Sequence, residues 1–263
     1  MISFVIPNWN GMAYLKACIE SIVNADSGGV KKEIVVVDNA SFDGSTEMVE
    51  NLFPEVKLLR NSTNTGYAQA VNQGVKITSG EYIFLLNNDV VLLKGTILPL
   101  INKLKSHDDV GAVAPLLIYP DGRLQISCRR FPWPFEIILE KVGIDGVGRF
   151  RRLKLSDQEH LQGGRVDQPM FSAIMIKRQC WNQVGSLDEN FPIFFNDVEW
   201  CYRLYKKTKY VIFLVPEAKA IHHEGVSVNK LGRRKKYHLY RGLLRFYSKT
   251  LKMVFSILLC ILV

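Results

Sequence analysis

With 263 residues, 48% hydrophobic and 22% charged, the chain has enough apolar material for one large domain or two small ones and falls outside the disordered and low-complexity classes. Its 34 Lys and Arg against 25 Asp and Glu leave a surplus of +9, which favours nucleic acid, anionic lipid or phosphorylated ligands. Much of that surplus is local, in GRFRRLK (148–154) and KLGRRKKYH (230–238), where a solvated face and an anion contact are the alternatives.

In chain order, ISFVI is a short apolar strand, and Leu15, Cys18, Ile19, Ile22 and Val23 follow it at one-face helical spacing. EIVVVDN is a second buried strand, and Met48, Val49 and Leu52 mark one side of a short helix. VKLLRN is a third strand; Tyr67, Ala70, Val71, Gly74 and Val75 outline the next helix; YIFLLNND is a fourth strand. Strands that alternate with helices and are apolar on both faces predict a parallel sheet covered on both sides. AVAPLLIYPDGRLQIS predicts a hairpin around Pro120-Asp121-Gly122, and residues 128–166, carrying Pro, Gly and basic residues, predict a mobile or substrate-contacting insertion. MFSAIMIKR is then a strand, RQCWNQVG a short helix closed by Gly185, NDVEWCYRLYKK a helix and YVIFLVP a strand.

Past Arg241 the chain grows steadily more apolar, but the uninterrupted apolar run starts only at Met253 and is too short to span a bilayer. Three alternatives fit this tail: docking on an anionic cytoplasmic leaflet, the start of a membrane anchor, and a helix packed on the core. MISFVIP has neither the basic region nor the apolar length of a signal peptide. The five cysteines are scattered, with no C-x-x-C pair, which suits reduced thiols in a cytosolic compartment and argues against structural zinc.

Each N-terminal strand ends in polar residues: Pro7-Asn8-Trp9-Asn10, Asp38-Asn39-Ala40-Ser41, Arg60-Asn61 and Asn87-Asn88-Asp89. One such ending is a turn; four on one edge of a sheet predict a cleft at the carboxyl ends of the strands, where ligands of such sheets bind. The dinucleotide fingerprint, the phosphate loop, H-E-x-x-H and the G-x-S-x-G elbow are all missing. What remains is amide and carboxylate chemistry. Asp38 and Asn39 suit a base and ribose, and Asp89, an acid at the end of a buried strand, either caps a turn or meets a divalent cation bridging phosphates.

FVIPNWNG, IVVVDNASFDGS, RNSTNTGYAQAVNQG, FLLNNDV, FFNDVEWCYR and AIHHEGVS occur in an order that resembles family 2 glycosyltransferases of the GT-A fold, most closely the bacterial rhamnosyltransferase-like branch that builds surface polysaccharides. The resemblance covers about residues 2–230. It implies a doubly wound, mostly parallel α/β sheet with a nucleotide-sugar-binding half (1–110), a smaller mixed acceptor and catalytic half (111–230), and a basic, then apolar, tail (231–263). It also implies an inverting, metal-dependent transfer from a dTDP- or UDP-sugar to a saccharide or lipid-linked acceptor, at the inner face of the cell membrane and without nucleic acid.

By the same resemblance Asp38 contacts the nucleotide base, and Pro7, Asn8 and Asn10 line its pocket. Asn64, Gly66 and Asn72 lie beside the sugar nucleotide. Asn87-Asn88-Asp89 stands for a D-x-D motif whose first acid is an amide, with Asn88 toward the nucleotide sugar and Asp89 on Mg²⁺ or Mn²⁺. His222 is the second candidate metal ligand, in a loop where Glu224 replaces a usual Gly, and as a lone histidine it is equally open to a structural role. Asp197 is the expected base. Asn196 with Glu199 three residues on also makes a capping box, and a helix N-terminus holds Asp197 ionised and weakly basic unless Glu199 or burial raises its pKa. Two readings from other classes stay open: a sugar-nucleotide nucleotidyltransferase, which lacks its basic phosphate loop here, and a non-enzymatic basic scaffold on membrane or nucleic acid.

Overall fold

The computed structural model describes residues 1–132, 153–191, 193–225, 232 and 234–250. The apolar runs of the N-terminal half become β1 (Ile2–Asn8), β2 (Lys32–Asn39), β3 (Lys57–Asn61) and β4 (Tyr82–Leu86), laid parallel in the order β3-β2-β1-β4. The sheet then continues through β10 (Ala173–Lys177), β6 (Val110–Ile118), β11 (Val211–His222) and β5 (Val90–Leu92), with β8 (Gly164–Val166) also on β11. Beyond the four parallel strands the sheet is mixed, β10 entering antiparallel to both β4 and β6, and β5 and β8 antiparallel to β11. A separate two-stranded ribbon pairs β7 (Cys128–Arg129) with β9 (Gln168–Pro169).

Both faces of the sheet are covered, as strands apolar on both sides require. On one lie α1 (Met12–Asn24), α2 (Ser45–Leu52) and α4 (Ile97–Ser106), with Leu15, Ile19, Ile22, Val49 and Leu100 against Phe4, Ile34 and Phe84. Two expected core positions are solvent-facing instead: Val23 is 44% and Leu52 52% exposed, each in the last turn of its helix. On the other face α3 (Tyr67–Lys76) packs with α6 (Arg178–Val184), α7 (Asn196–Lys207) and α8 (Arg234–Thr250). The short α5 (Asp157–Gln162) carries a capping box between Ser156 and Glu159.

Trp200 is the keystone of this second face. Its ring lies 5.5 Å from Phe171 and 5.8 Å from Trp181, and its indole N–H donates to Gly185 O at 2.8 Å. Emptying a site of that size costs about 3–5 kcal/mol and would release α7 from its neighbours. Leu243, Phe246 and Tyr247 of α8 are buried in the same cluster, and Lys249 reaches Asp188 at 2.8 Å and Glu199 at 2.6 Å. Leu243, Phe246 and Tyr247 therefore face the domain, whereas Tyr237, Leu239 and Tyr240 of the same helix are exposed. The apolar run from Met253 and most of GRFRRLK lie outside the described residues, and among the described ones no helix is long and apolar enough to cross a membrane. The expected hairpin after β6 shrinks to a turn closed by Tyr119 N to Arg123 O at 2.8 Å and one bridge, Ile118 to Leu124.

Candidate active site

A cleft of about 750 Å³ opens where strand order reverses, β2 lying on one side of β1 and β4 on the other. Register builds its first wall. Asn8 pairs with Asp38 across β1 and β2, and its Nδ2 donates to Asp38 Oδ1 at 2.9 Å. Asn88 Nδ2 donates to Asn8 Oδ1 at 2.7 Å, and Ser41 N donates to Asp38 Oδ2 at 2.8 Å. Asn10 N donates to Ser41 Oγ at 2.8 Å. An amide gives and accepts at once whereas a carboxylate only accepts, so asparagines can lace three strand ends together around the single acid Asp38. Higher on this wall Asn39 Nδ2 donates to Gly66 O at 3.2 Å and Gly66 N to Asn64 Oδ1 at 3.0 Å, with Gly66 at φ 84, a conformation that a side chain would disfavour.

The floor comes from two chain reversals. After β4 a turn closed by Val90 N to Asn87 O at 3.2 Å carries the chain across the end of the sheet into β5, and Asn87 N ties it to Ser172 O at 2.9 Å. β11 slips register between Val215 and Lys219, around Pro216, which has no N–H for the ladder. Beyond that irregularity the strand pairs with β5, His222 opposite Val90. His222 Nε2 thereby comes to 3.3 Å from Asp89 Oδ1, both residues being 5% exposed or less.

Asp89 Oδ1 is the buried side-chain atom with no hydrogen-bond donor among the described residues. A buried carboxylate oxygen left in that condition costs several kcal/mol, so the corner suits a cation. Mg²⁺ and Mn²⁺ accept one carboxylate and one imidazole when phosphate oxygens fill the remaining positions. Among the described residues no group of three His, Cys, Asp or Glu stands ready to hold the ion alone. His222 Nδ1 lies 2.9 Å from Gln125 Oε1, and Gln125 Nε2 and Tyr119 Oη donate to Glu224 Oε2 at 2.8 and 2.7 Å. Burial alone would raise Glu224; these two donors and the neighbouring His222 hold it below its ordinary value.

The facing wall starts at α7. The expected capping box is absent: Phe195, at φ 66, precedes the helix, Asn196 Nδ2 donates to Ile193 O at 3.0 Å, and Glu199 is turned to Arg203 at 2.9 Å. The left-handed turn at Phe195 rotates Asn196 inward and leaves Asp197 on the cleft. Burial raises Asp197 above the ordinary carboxylate value, while the Val198 and Phe171 amides and the Arg129 charge pull the other way and only moderate it. Tyr67 Oη donates to Phe171 O at 2.8 Å, and burial, then the nearby Asp197, pushes that phenol up, so it stays a donor.

Of the residues singled out in the sequence, Pro7, Asn8, Asn39, Asn64, Gly66, Asn88, Asp89, Asp197 and His222 line this one cleft. Asp38 and Asn10 are not among the lining residues; Asp38 accepts from the lining Asn8, and Asn10 N donates to Ser41 Oγ. Asn72 is elsewhere: its amide donates to Leu187 O at 2.9 Å and Glu189 Oε1 at 3.0 Å and accepts from Leu187 N at 2.9 Å, clamping α3 to the loop before α7. Sequence reasoning missed Trp9, Tyr67, Arg129 and Ser172, which also line the cleft. Only Trp9 carried a signal, an aromatic set between two of the strand-end amides.

Residues 3–164 match the model of a family described as Glycosyl transferase family 2. The y4gI protein of Sinorhizobium fredii is 27% identical over 86% of this chain and 25% of its own length. The N-acetylglucosaminyl-diphospho-decaprenol L-rhamnosyltransferase of Mycobacterium tuberculosis is 27% identical over 75% of this chain and 68% of its own. Among solved structures, GalNAc-T7 with UDP, GalNAc and Mn²⁺ superposes with a TM-score of 0.70 at 18% identity, covering 94% of this chain and 47% of that one, a likeness of fold. The chain thus spans a quarter of the first relative and about half of this structural neighbour.

Proposed function

This chain belongs to glycosyl transferase family 2 and has the GT-A fold, and from that premise we propose that it moves a sugar, rhamnose by resemblance, from a dTDP- or UDP-linked donor to a saccharide or lipid-linked acceptor in bacterial surface polysaccharide synthesis. The observation that carries the reading is the unpartnered Asp89 Oδ1 facing His222 Nε2 at 3.3 Å, across one cleft from Asp197. Asp89 and His222 are the residues that would hold Mg²⁺ or Mn²⁺, and such an ion supplies charge neutralisation for a leaving diphosphate.

The other roles fall to the chain itself. Pro7, Asn8, Trp9, Asn39 and Asn64 form the wall proposed for the nucleotide, with Asp38 bracing it through Asn8. Asp197 takes the proton of the acceptor hydroxyl, its raised proton affinity bringing it nearer the range of an effective base. Arg129 and Lys235 make the cleft attractive to an anionic donor. A single displacement with Asp197 as base inverts the anomeric centre.

The mycobacterial relative is named for an acceptor carried on a polyprenyl diphosphate. In this chain α8 exposes Lys235, Lys236, Tyr237, Tyr240 and Arg241 next to the cleft residues His238 and Leu239. Basic and aromatic side chains at the mouth of the cleft support peripheral association with an anionic leaflet on the cytoplasmic side.

The test is incubation with UDP- and dTDP-sugars, a lipid-linked saccharide and Mg²⁺ or Mn²⁺. Metal-dependent release of the nucleoside diphosphate, with a product of inverted anomeric configuration by NMR, is expected. Formation of pyrophosphate from a nucleoside triphosphate and a sugar 1-phosphate would replace the reading with a nucleotidyltransferase.

A further inference from the structure

We propose that Gln125, held by Glu224, is a positioning residue that fixes the proton of His222 on Nδ1 and so presents Nε2 bare to Asp89. The proposal rests on the reading of Asp89 and His222 as a cation site and adds what keeps the histidine in ligand form.

One line of hydrogen bonds sets the tautomer. A carboxylate has no proton to give, so the end of the Gln125 amide that faces Glu224 Oε2 at 2.8 Å must be its NH₂. Tyr119 Oη donates to the same oxygen at 2.7 Å, which fixes the carboxylate in turn. The other end of the amide, Oε1, then faces His222 Nδ1 at 2.9 Å and can only accept, so Nδ1 carries the hydrogen. In the neutral ring that leaves Nε2 without a hydrogen, 3.3 Å from Asp89 Oδ1, which has no donor among the described residues. Two acceptors facing each other in a buried corner repel unless a cation stands with them. The opposite tautomer would instead put the hydrogen on Nε2 and remove that nitrogen as a ligand.

The amide is built in to stay. Gln125 is 1% exposed, and its backbone N donates to Leu117 O at 3.0 Å, in the strand paired with the segment that carries His222. Glu224 holds φ 40, a left-handed backbone that a residue with a side chain adopts at a cost, and in that conformation its carboxylate reaches both Tyr119 and Gln125. Outer-shell partners of a ligating histidine commonly fix its tautomer in this way.

The experiment uses the full chain labelled with ¹⁵N-histidine, with the His222 ring read by long-range ¹H–¹⁵N correlation at about pH 8, where a free imidazole is neutral. A protonated Nδ1 and bare Nε2 are expected. A hydrogen on Nε2, alone or together with one on Nδ1, overturns the proposal. In Gln125→Leu the ring should lose its single tautomer, and Mn²⁺ affinity in the presence of UDP or dTDP should fall about tenfold or more. Glu224→Gln, at an exposed position and so less disturbing to the fold, allows the Gln125 amide to face either way and should mix the tautomers with a smaller loss of Mn²⁺ affinity. Wild-type tautomer and Mn²⁺ affinity in both variants would overturn the role of the relay. Wild-type protein that binds no Mn²⁺ with any nucleoside diphosphate would instead overturn the cation site itself, an outcome separable from an Nε2–H ring in protein that does bind it.

Discussion

Two acids stand at strand ends on the same side of the sheet, and their surroundings have opposite designs. Asp38, at the β1–β2 edge, is 2% exposed and each of its oxygens has a donor, from Asn8 and from the Ser41 amide. Asp89, at the corner where β5 meets β11, is 5% exposed, and one oxygen has no donor among the described residues and lies 3.3 Å from an imidazole nitrogen. Equal burial thus accompanies unequal satisfaction. A carboxylate whose partners all lie within the fold stabilises the fold, whereas one left short of partners marks where the protein meets something else.

That contrast can be broken by substitution. Asp89→Asn removes the uncompensated charge, so transfer should fall about a thousandfold or more, several kcal/mol of transition-state stabilisation at about 1.4 kcal/mol per decade. The thermal midpoint should hold or rise; a midpoint that drops with activity would make Asp89 structural. Asp197→Asn should lower kcat about a hundredfold to a thousandfold and leave donor-induced stabilisation intact, as measured by initial rates and nucleotide titration.

Asp197 also has a pH signature. Because its pKa is raised in the folded state, the stability it contributes is full at low pH and is lost as pH climbs through the raised value. Near neutral pH Asp197→Asn should therefore raise the midpoint slightly, and in the wild type kcat/KM should climb through a pKa above that of an ordinary aspartate, a limb absent from the variant.

Asp38→Asn tests the other side of the comparison. It should cost about 1–3 kcal/mol of stability in denaturant titration, since Asn8 and Ser41 lose a charged acceptor, with kcat of the folded fraction nearly unchanged. Gly11→Ala perturbs the lacing from outside: a Cβ there would sit 2.1 Å from Asn88 Nδ2 and 3.0 Å from Asn8 Oδ1. A loss of about 1–2 kcal/mol and weaker nucleotide binding are expected.

The sheet and its cleft were legible in the sequence because strands buried on both faces leave an unbroken apolar run, and polar residues that stop such a run need a reason. Helix edges were less legible: Val23 and Leu52 continue the apolar spacing into the last turn of their helices yet face solvent, and spacing does not encode where a helix leaves the core. The clamp that Asn72 makes was not legible because its partners, Leu187 and Glu189, lie far along the chain. The capping pattern at Asn196 failed because the left-handed turn at Phe195 turned that side chain inward. Of the Gln125–Glu224 line only Glu224, standing where a Gly is usual, left a mark in the sequence; its partner Gln125 meets it only where the turn after β6 folds against the end of β11.

The most direct test of the central claim is the thermal midpoint of the purified chain with UDP, dTDP or GDP, each with and without Mn²⁺, in wild type and Asp89→Asn. If Asp89 and His222 share a cation with a donor diphosphate, one nucleotide should raise the wild-type midpoint only with Mn²⁺, because a ligand that binds only the folded state stabilises it, and the variant should lose that shift. A wild type that none of the three moves, or a variant that keeps the Mn²⁺-dependent shift, would contradict the account.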